Sequence, residues 1–500
     1  MSKLGASYPL IRGSNLFPER VVVGPDNRVT YKEMLERTLR LSKYLEERGI
    51  GKEDIVAVID FNTVRFMEIA YALANLEAIL LPINFRLPPL TLAEIVNEVR
   101  PKVLFYSSPF KQLAGSLNVK EKILLDEYEG IVKSSSRATL RESDPDAYYA
   151  LLYTSGTTGK PKGALYRQWK MMEGALSIVH QLSLYETPAR LTSKDTMLSL
   201  IPMFHILSWG SIFIAPFIGA KLVFVEKIAS EAISNTIKDE GVTWLNAVPT
   251  MIYTLLEAKE RFNGLKVLLG GSPIPINLAE RMKKAGMVFS TIYGATDMLA
   301  TSISIVTDHV NEDDLRVITH PVPYAEVKVV REGGVKAGVG ESGEIWYRSP
   351  WMPEGYYMNP EKTKESFVGG WFKTGDLGEP TIDGGIKVLD RVKDAIKSGG
   401  EWIPSSTLES IISEVEGVKM VAVIPVKDEK WGERPVAVYI GNADADAIRR
   451  HMEEAVSEGR IAKWWIPDKF LKVEELPLTS TGKVNKREIK ATMKKMLEGG

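Results

Sequence analysis

One segment of the sequence concentrates side chains that can hold a chain of phosphates. In residues 153–164, glycines alternate with hydroxyl-bearing residues and lysines. Glycines let backbone N–H groups come close to an anion and adopt positive φ angles without steric cost. Hydroxyl and ammonium groups add hydrogen-bond donors and positive charge. We therefore predict a loop that binds a polyphosphate, with ATP as the first candidate. The predicted binding residues of this loop are Thr154, Ser155, Gly156, Thr157, Thr158, Gly159, Lys160 and Lys162.

Two other interpretations compete with this one. The first is a solvated Gly/Thr turn, which the density of donors disfavours. The second is the P-loop of nucleotide hydrolases, which requires Gly-x-x-x-x-Gly-Lys followed by Ser or Thr. Here Gly156 and Gly159 stand too close together, and Pro161 follows Lys160. The segment is therefore not a P-loop.

Further segments with chemically capable side chains follow at intervals along the chain. They comprise residues 202–205, 248–250, 270–272, 293–297, 371–376, 397–402 and 479–483. Together with the first loop, and in the same order, they resemble the motifs of the adenylate-forming superfamily of acyl-CoA synthetases, luciferases and peptide-synthetase adenylation domains. The resemblance runs from about residue 15 to residue 495 and is closest to the fatty acyl-CoA synthetases.

The resemblance implies which residues bind the nucleotide. Tyr293 would stack on adenine, and Thr296 would donate to the α-phosphate during catalysis. Asp376 would accept hydrogen bonds from both ribose hydroxyls, and Arg391 corresponds to a second contact with ribose and phosphate. The nucleotide-binding set also includes Gly271, Ser272, Gly294 and Ala295.

A Mg²⁺ ion is implied at Thr157 and Asp297. The family usually has Glu at the position of Asp297. Both carboxylates can bind Mg²⁺, but Asp is one methylene shorter, so a contact through water is an alternative to direct coordination. A capping or turn residue is the other interpretation of this carboxylate.

Three assignments in the C-terminal part rest on the same resemblance. Lys483 corresponds to the lysine that enters the active site for adenylation, where a compact ammonium group neutralises charge on the reacting phosphate and carboxylate. Lys393 corresponds to the hinge about which a small domain pivots between half-reactions. The remaining assignment is the loop that lines the CoA tunnel, formed by Ser398, Gly399 and Gly400.

The apolar residues 197–225 are the candidate acyl side of the site. His205 and Trp209 would share one face if this stretch is helical. They resemble the histidine and the gating aromatic residue that fatty acyl-CoA synthetases carry between the ATP site and the acyl tunnel. The resemblance therefore implies a catalytic role for His205, with Lys483 and Thr296, and an acyl-binding role for Trp209, Val248 and Gly270; packed core is the alternative for His205 and Trp209. The stretch is long enough to span a bilayer, but two prolines and a histidine make one spanning helix a poor interpretation.

The elements that must position these residues alternate between helix-like and strand-like patterns, which predicts an α/β fold. Ligand sites of open α/β sheets lie at the carboxyl ends of strands, where residues 154–162, 270–272 and 293–297 fall. We predict a large N-terminal α/β domain of stacked sheets and helices that binds ATP and the acyl group (1–390). A hinge (391–393) and a small mobile α+β domain (394–500) follow.

Composition removes several other classes of function. The formal net charge of −1 gives no argument for a nucleic-acid partner. The absence of cysteine excludes disulfides, thiol catalysis and Cys-bound metals. No signal peptide is evident at the N-terminus, so we expect a cytoplasmic protein without an integral membrane segment.

The expected reaction is a two-step ligation. A carboxylate attacks the α-phosphate of Mg·ATP to give an acyl adenylate and pyrophosphate, and the CoA thiol then displaces AMP after the small domain rotates. The expected acid is a medium- or long-chain fatty acid, with short or ω-hydroxy aliphatic acids as the alternative. A fatty acyl-AMP ligase without a CoA step and a non-catalytic sensor of acyl groups or nucleotides are further alternatives. The expected partners are the acid, ATP and CoA, and a homodimer is common among relatives.

Overall fold

The computed structural model of the chain describes residues 4–154, 161–399, 401–479 and 484–498. Within these residues the chain forms three β-sheets with helices packed on their faces. The first two sheets use strands that end by Arg391, and the third uses strands that begin at Ile396. None of the helices described is long and apolar enough to cross a membrane.

A six-stranded sheet occupies the first third of the chain, in the spatial order β6-β5-β3-β4-β7-β8. All neighbouring strands are parallel except β7 and β8, which form an antiparallel hairpin. Its strands are β3 (Ile55–Ile59), β4 (Ile79–Pro82), β5 (Val103–Tyr106), β6 (Glu121–Leu124), β7 (Tyr148–Tyr153) and β8 (Gly163–Arg167).

A larger sheet has the spatial order β16-β17-β19-β20-β15-β14-β13-β12-β11-β9-β10-β1-β2, with β18 paired to β19. It is parallel from β1 to β13 and antiparallel from β13 to β16. Its strands are β1 (Val21–Val23), β2 (Arg28–Thr30), β9 (Thr196–Ser199), β10 (Lys221–Val223), β11 (Trp244–Ala247), β12 (Lys266–Gly270), β13 (Val288–Ala295), β14 (Leu299–Ile303), β15 (Ile318–Pro321), β16 (Glu326–Val330), β17 (Gly343–Arg348), β18 (Phe367–Val368), β19 (Trp371–Pro380) and β20 (Ile386–Arg391).

The helices of this part connect the strands of the two sheets. They are α1 (Tyr8–Leu16), α2 (Tyr31–Glu46), α3 (Val64–Asn75), α4 (Pro89–Val99), α5 (Lys111–Ser116), α6 (Tyr128–Ser134), α7 (Gln168–Leu184), the short turn α8 (Ile206–Trp209), α9 (Ser211–Ile218), α10 (Ser230–Glu240), α11 (Pro249–Leu256), α12 (Ile276–Lys284) and α13 (Pro360–Ser366). The apolar residues 197–225 are thus divided among β9, α8, α9 and β10, so they are not one spanning helix.

The C-terminal part has its own sheet and helices. The spatial order of its strands is β22-β21-β24-β23, with β25 parallel to β24. The elements are β21 (Ile396–Ser398), β22 (Glu401–Ile403), α14 (Ser405–Ile412), β23 (Val418–Asp428), β24 (Gly432–Gly441), α15 (Ala445–Ser457), β25 (Lys469–Lys472) and α16 (Lys486–Glu498). Helices α14 and α15 cover one face of this sheet, and Ile489 of α16 packs in a separate cluster with Ala422 and Ile424 of β23.

Buried side chains join the two large sheets into layers. One core contains residues of both sheets together with α2, α3, α7 and α9, which lie between them. The outer face of the large sheet is covered by α10, α11 and α12, and that of the six-stranded sheet by α4 and α5. Sheets with apolar faces on both sides require such cover. The layers are therefore helix, sheet, helix, sheet, helix.

Local sequence explains how individual elements begin. Helix α2 starts with a capping box, in which the Thr30 side chain accepts from the Glu33 N–H and the Glu33 carboxylate accepts from the Thr30 N–H. Its leucines Leu39, Leu41 and Leu45 are fully buried, and the backbone N–H of Ala138 donates to the carbonyl of Leu39 at 3.0 Å. The predicted alternation of helices and strands in stacked sheets is confirmed. The three ligand-site segments belong to two sheets, because residues 154–162 join strands of the smaller one.

Candidate active site

The predicted phosphate loop connects the two antiparallel strands β7 and β8. Tyr153 at the end of β7 pairs with Gly163 at the start of β8. The backbone N–H of Thr154 donates to the carbonyl of Lys162 at 2.9 Å, and the N–H of Lys162 donates to Oγ1 of Thr154 at 3.1 Å. These bonds hold the ends of the loop together. The tip of the loop lies outside the described residues, so the roles of the following residues stay predictions: Ser155, Gly156, Thr157, Thr158, Gly159 and Lys160.

A carboxylate, a lysine and a tyrosine meet beside the base of this loop. The Nζ of Lys162 lies 4.6 Å from the centre of the Tyr356 ring, which is a cation–π contact. Burial raises the pKa of Asp297 to about 6, although Lys162 and a hydrogen bond with Tyr356 act in the opposite direction. Burial lowers the pKa of Lys162, and the charge of Asp297 opposes this shift. The carboxylate and the ammonium group therefore stabilise each other's charged forms.

Asp297 has the properties of a cation ligand. Its Oδ1 is buried and has no hydrogen-bond partner among the residues that the structure describes. A buried carboxylate oxygen without a partner is costly unless a ligand satisfies it. Mg²⁺ at nucleotide sites is typically held by one or two carboxylates, by waters and by the phosphates of the substrate. Asp297 therefore fits a Mg²⁺ ion that arrives with ATP.

Asp376, the predicted ribose ligand, is held between two side chains. The Tyr293 hydroxyl donates to its Oδ2 at 2.6 Å, and the Arg391 Nε lies 2.7 Å from its Oδ1. Asp376 and Arg391 face each other across β19 and β20, so the strand register fixes this pair. Asp376 raises the pKa of Arg391, while burial and then Asp376 raise the pKa of Tyr293. The structure thus brings three predicted nucleotide contacts together.

A hairpin between β13 and β14 carries the predicted adenine and α-phosphate residues. The Tyr166 hydroxyl donates to the carbonyl of Thr296 at 2.6 Å, and Oγ1 of Thr301 donates to the carbonyl of Tyr293 at 2.6 Å. Tyr166 belongs to β8, so the first bond ties this hairpin to the sheet of the phosphate loop. The hairpin contains Tyr293, Gly294, Ala295, Thr296 and Asp297.

Two of the predicted acyl residues, Val248 and Gly270, lie at the carboxyl ends of β11 and β12. Val248 directly follows β11, and Gly270 ends β12. A Cβ on Gly270 would come within 3.0 Å of the Trp209 ring, so glycine lets the indole reach the end of the sheet. Gly271 then turns the chain with a φ of +86° towards Ser272. The structure thus brings Gly270 and Trp209 into contact.

Residues 205–209 do not form a right-handed helix, so His205 and Trp209 do not share a helix face. Residues Ile206 to Trp209 form a left-handed turn with φ angles from 49° to 62°. L-amino acids disfavour this conformation by about 1–2 kcal/mol per residue, so the surrounding structure must hold it. The N–H of Trp209 donates to the carbonyl of His205 at 3.2 Å, and the His205 ring packs on Phe204 with 4.7 Å between ring centres. The two side chains therefore stand at the two ends of one tight turn.

The predicted hinge lies next to a contact between the two parts of the chain. Asp390 accepts hydrogen bonds from the backbone N–H groups of Ser405 at 2.6 Å and Ser406 at 3.3 Å, at the start of α14. A carboxylate there satisfies N–H groups that have no partner within the helix. Lys393 is exposed, and its carbonyl accepts from the Nζ of Lys490 at 3.3 Å. Asp390 of β20, the last strand of the large part along the chain, thus caps α14, the first helix of the C-terminal part.

The predicted CoA loop begins in β21. Ser398 is buried, and its Oγ accepts from Nη1 of Arg434 at 3.5 Å. Gly399 has a φ of +60°, and its N–H donates to the carbonyl of Trp431 at 2.9 Å. Both residues thus contact neighbours within the C-terminal part, and their role towards CoA stays a prediction. Gly400 and the predicted catalytic Lys483 lie outside the described residues.

Three residues of this site were not expected from the sequence. Tyr356 contacts both Asp297 and Lys162, Tyr166 supports the hairpin that contains Asp297, and Asn246 donates to the carbonyl of Ser208 in α8 at 3.2 Å. Each stands in a strand or loop without a functional motif of its own. A tyrosine or asparagine in such a position is usually core or turn, so only the folded arrangement reveals these contacts.

Comparison with known proteins defines the class. A family model described as AMP-binding enzyme matches residues 12–357, and a model described as AMP-binding enzyme C-terminal domain matches residues 407–483. The chain therefore belongs to the AMP-binding enzyme family. The resemblance that the motifs predicted is confirmed.

The relatives and solved structures span almost the whole chain. The long-chain-fatty-acid–CoA ligase of Thermus thermophilus is 32% identical, over 98% of this chain and 96% of its own length. 4-hydroxybutyrate–CoA ligase 2 of Metallosphaera sedula is 31% identical, over 95% and 92%. The o-succinylbenzoate CoA synthetase of Bacillus subtilis, solved with its acyl-adenylate intermediate, has a TM-score of 0.84 at 27% identity and covers 98% of this chain and 99% of its own. The predicted fold, with a large α/β part and a small C-terminal part, is confirmed.

Proposed function

We propose that the chain is an ATP-dependent, AMP-forming acid–CoA ligase that activates a medium- or long-chain fatty acid or a related aliphatic acid. One observation carries the proposal: the buried carboxylate of Asp297 lies in the turn of the β13–β14 hairpin beside Lys162, and Tyr293 of the same hairpin bonds to Asp376. A candidate cation ligand, phosphate-binding lysine and ribose acceptor thus lie at one hairpin, which supports the binding of one nucleotide there. The relatives' names as CoA ligases support this assignment.

In the first half-reaction, the residues of the large part bind and orient Mg·ATP. Lys162 and the residues that precede it in the phosphate loop bind the phosphates, and Asp376 accepts the ribose hydroxyls while Arg391 pairs with its carboxylate. Thr296 donates to the α-phosphate, where the acid attacks. Asp297 would hold Mg²⁺, which would neutralise charge on the phosphates when bound. Catalysis then consists of positioning and charge stabilisation, to which Lys483 contributes a second cation.

In the second half-reaction, the small part rotates about Lys393 and the loop of Ser398, Gly399 and Gly400 meets the CoA arm. The contact between Asp390 and the start of α14 lies within a few residues of that pivot. A rotation about Lys393 changes the distance between the Asp390 carboxylate and the N–H groups at the start of α14. The hydrogen bond between them therefore favours the arrangement of the large and small parts in which it forms. We propose domain limits of 1–390 and 394–500 on this basis.

The acid is proposed from the apolar surroundings of Trp209. This side chain packs against both buried cores that flank the large sheet, and Val248 is a buried member of one of these cores. Apolar walls favour an acid whose chain is aliphatic over one whose chain carries a further charged group. The Thermus thermophilus relative acts on long-chain fatty acids by name, whereas the Metallosphaera sedula relative is named for 4-hydroxybutyrate. Short or ω-hydroxy acids are therefore the second candidate.

A panel of acids from acetate to palmitate, incubated with ATP, Mg²⁺ and CoA, tests the proposal through release of AMP. We expect an optimum among the medium or long chains and a thioester product. Preference for an aromatic acid or an amino acid would contradict the proposed acid class. ATP–pyrophosphate exchange without any thioester would identify an acyl-AMP ligase, and absence of both would identify a binding protein. An Asp376→Ala variant serves as the control, because it should lose both activities.

A further inference from the structure

The left-handed turn α8 is held by a cluster of polar side chains in the core. Four consecutive residues other than glycine adopt positive φ angles, and Gly210 continues the turn at a φ of +74°. Gly210 also lies so close to α7 that a Cβ there would stand 2.4 Å from the Cβ of Ala175. Such strain persists only where the surroundings determine the backbone, and it concentrates at functional sites.

Asn246 of β11 is the centre of this cluster. Its Nδ2 donates to the carbonyl of Ser208 at 3.2 Å and to Oγ of Ser211 at 3.0 Å, and its Oδ1 accepts from the N–H of Leu200 at 3.1 Å. The turn leaves the Ser208 carbonyl without a regular helical partner, and Ser211 also donates to it, at 2.8 Å. One asparagine therefore bonds to residues on both sides of the turn.

Ser208 makes the second set of contacts. Its Oγ donates to the carbonyl of Ile201 at 2.5 Å and lies 2.5 Å from Oγ of Ser199. At most 1% of the surface of Ser199, Ser208 and Asn246 is exposed. Buried polar groups that satisfy one another fix a single arrangement, because any other leaves them without partners. The cluster thus selects the left-handed backbone over a right-handed one.

The turn determines where the Trp209 indole lies. Trp209 is the last residue of α8, and its ring lies 3.0 Å from the Cβ position of Gly270, at the carboxyl end of β12. A right-handed backbone at residues 206–209 would point this side chain elsewhere. We propose that Asn246, Ser199 and Ser208 are positioning residues that hold Trp209 against Gly270 and thereby set the length of acyl chain that the site accepts. This inference rests on the proposed acyl role of Trp209.

The test compares variants that remove single partners. Asn246→Asp keeps the size of the side chain and removes its donors, and Ser208→Ala removes the hydroxyl. The measured quantity is the ratio of kcat/KM for palmitate to kcat/KM for octanoate, together with the KM for ATP. We expect the ratio to shift by about threefold or more in favour of the longer acid, because Trp209 is no longer fixed at Gly270. The KM for ATP should stay within about twofold.

Glycine at position 208 gives the sharper comparison. Ser208→Gly loses the same hydroxyl as Ser208→Ala, but glycine adopts positive φ angles without steric cost. If the hydroxyl serves to hold the left-handed backbone, the glycine variant keeps a ratio closer to wild type than the alanine variant does. Equal ratios in the two variants would overturn the inference.

Ser290→Ala is the matched control. Ser290 of β13 is fully buried in the same sheet, lies 2.5 Å from Oγ1 of Thr187 and accepts from the N–H of Ala189, away from the turn. It should lose stability without any change in the ratio. Folded variants at 208 and 246 with the wild-type ratio would overturn the inference and leave the proposed ligase intact. A wild-type protein that releases no AMP with any acid would instead overturn the proposed function.

Discussion

The Nζ of Lys486 lies 2.6 Å from Oε1 of Glu409 and 2.6 Å from Oγ of Ser405. Both charged side chains are largely buried, with exposed fractions of 15% for Lys486 and 20% for Glu409. Burial raises the pKa of Glu409 to about 7, and Lys486 opposes this shift. The pair connects the start of α16, which follows the segment of Lys483, to α14, whose first N–H groups bond to Asp390.

Replacing one member of this pair should destabilise the protein strongly. Lys486→Met leaves Glu409 buried without its cation, so we expect a loss of about 3 kcal/mol in the free energy of unfolding. The double variant Lys486→Met/Glu409→Leu should recover most of this loss, because no uncompensated charge remains. Urea unfolding measures both. Lys362→Ala, which breaks the exposed pair with Glu365, is the control and should leave the midpoint unchanged. Equal losses in the single and double variants would contradict the role of the ion pair.

Lys483→Ala should slow adenylation far more than thioester formation. The lysine is proposed to neutralise charge only while the acid attacks the α-phosphate, and removal of such a group lowers a rate by about 10²–10³-fold. ATP–pyrophosphate exchange reports the first step, and thioester formation from pre-made acyl adenylate reports the second. Lys472→Ala, at an exposed lysine of the same part of the chain, should change neither. Equal loss in both steps would show that the lysine is not specific to adenylation.

The Asp376 carboxylate should matter more for ATP than the hydroxyl that binds it. Asp376→Ala removes the ribose acceptor and leaves Arg391 without its partner, so kcat/KM for ATP should fall by about 10²-fold. Tyr293→Phe keeps the aromatic ring and loses one hydrogen bond, for which we expect a loss of about fivefold. Steady-state kinetics at saturating acid and CoA distinguish the two. A Tyr293→Phe loss as large as that of Asp376→Ala would place the essential contact on the hydroxyl instead.

Asp297 should govern the requirement for Mg²⁺. Asp297→Asn keeps the shape but loses the charge that attracts the cation, so the Mg²⁺ concentration for half-maximal pyrophosphate exchange should rise about tenfold or more. Asp297→Glu restores the carboxylate that the family usually has and should stay close to wild type. An unchanged Mg²⁺ dependence in Asp297→Asn would show that the carboxylate is structural.

Low pH should remove the stability contributed by the largely buried Asp383 carboxylate, which lies in the turn between β19 and β20. Asp383 accepts from Thr307 at 2.6 Å and bonds to His320 at 2.8 Å. Burial alone would raise the pKa of Asp383. Hydrogen bonds from Thr307, Thr381 and His320 outweigh this effect, so the pKa lies below its usual value. A lowered pKa in the folded state contributes stability above the unfolded value of about 3.9 and loses it as the pH falls through the folded value.

Asp383→Asn tests this pH dependence. The variant should be less stable than wild type by about 2 kcal/mol near neutral pH, and the difference should shrink as the pH falls below about 4. Urea unfolding at several pH values measures the difference. Asp308→Asn, at an exposed carboxylate nearby, serves as the control. A difference that stays constant down to low pH would contradict the assigned shift.

Local sequence was sufficient for the elements and for the family. Thr30 and Thr63 cap the first turns of α2 and α3, and such caps act within a few residues of the chain. The ordered motifs predict the nucleotide site, since a loop of glycines, hydroxyls and lysines has few other uses. The structure brings Tyr293, Asp376 and Arg391 together, and their roles towards the nucleotide stay predictions.

Tertiary structure alone decided how the acyl side is built. A histidine and a tryptophan four apart share a face only if the stretch is helical, and their spacing alone does not report the handedness of the backbone. The left-handed turn exists because Asn246, about forty residues away in sequence, satisfies the Ser208 carbonyl inside the core. In the same way, Tyr356 meets Asp297 only through the packing of distant segments. The sequence by itself thus determined the elements and the family, whereas long-range hydrogen bonds between buried groups decided the backbone conformation next to Trp209.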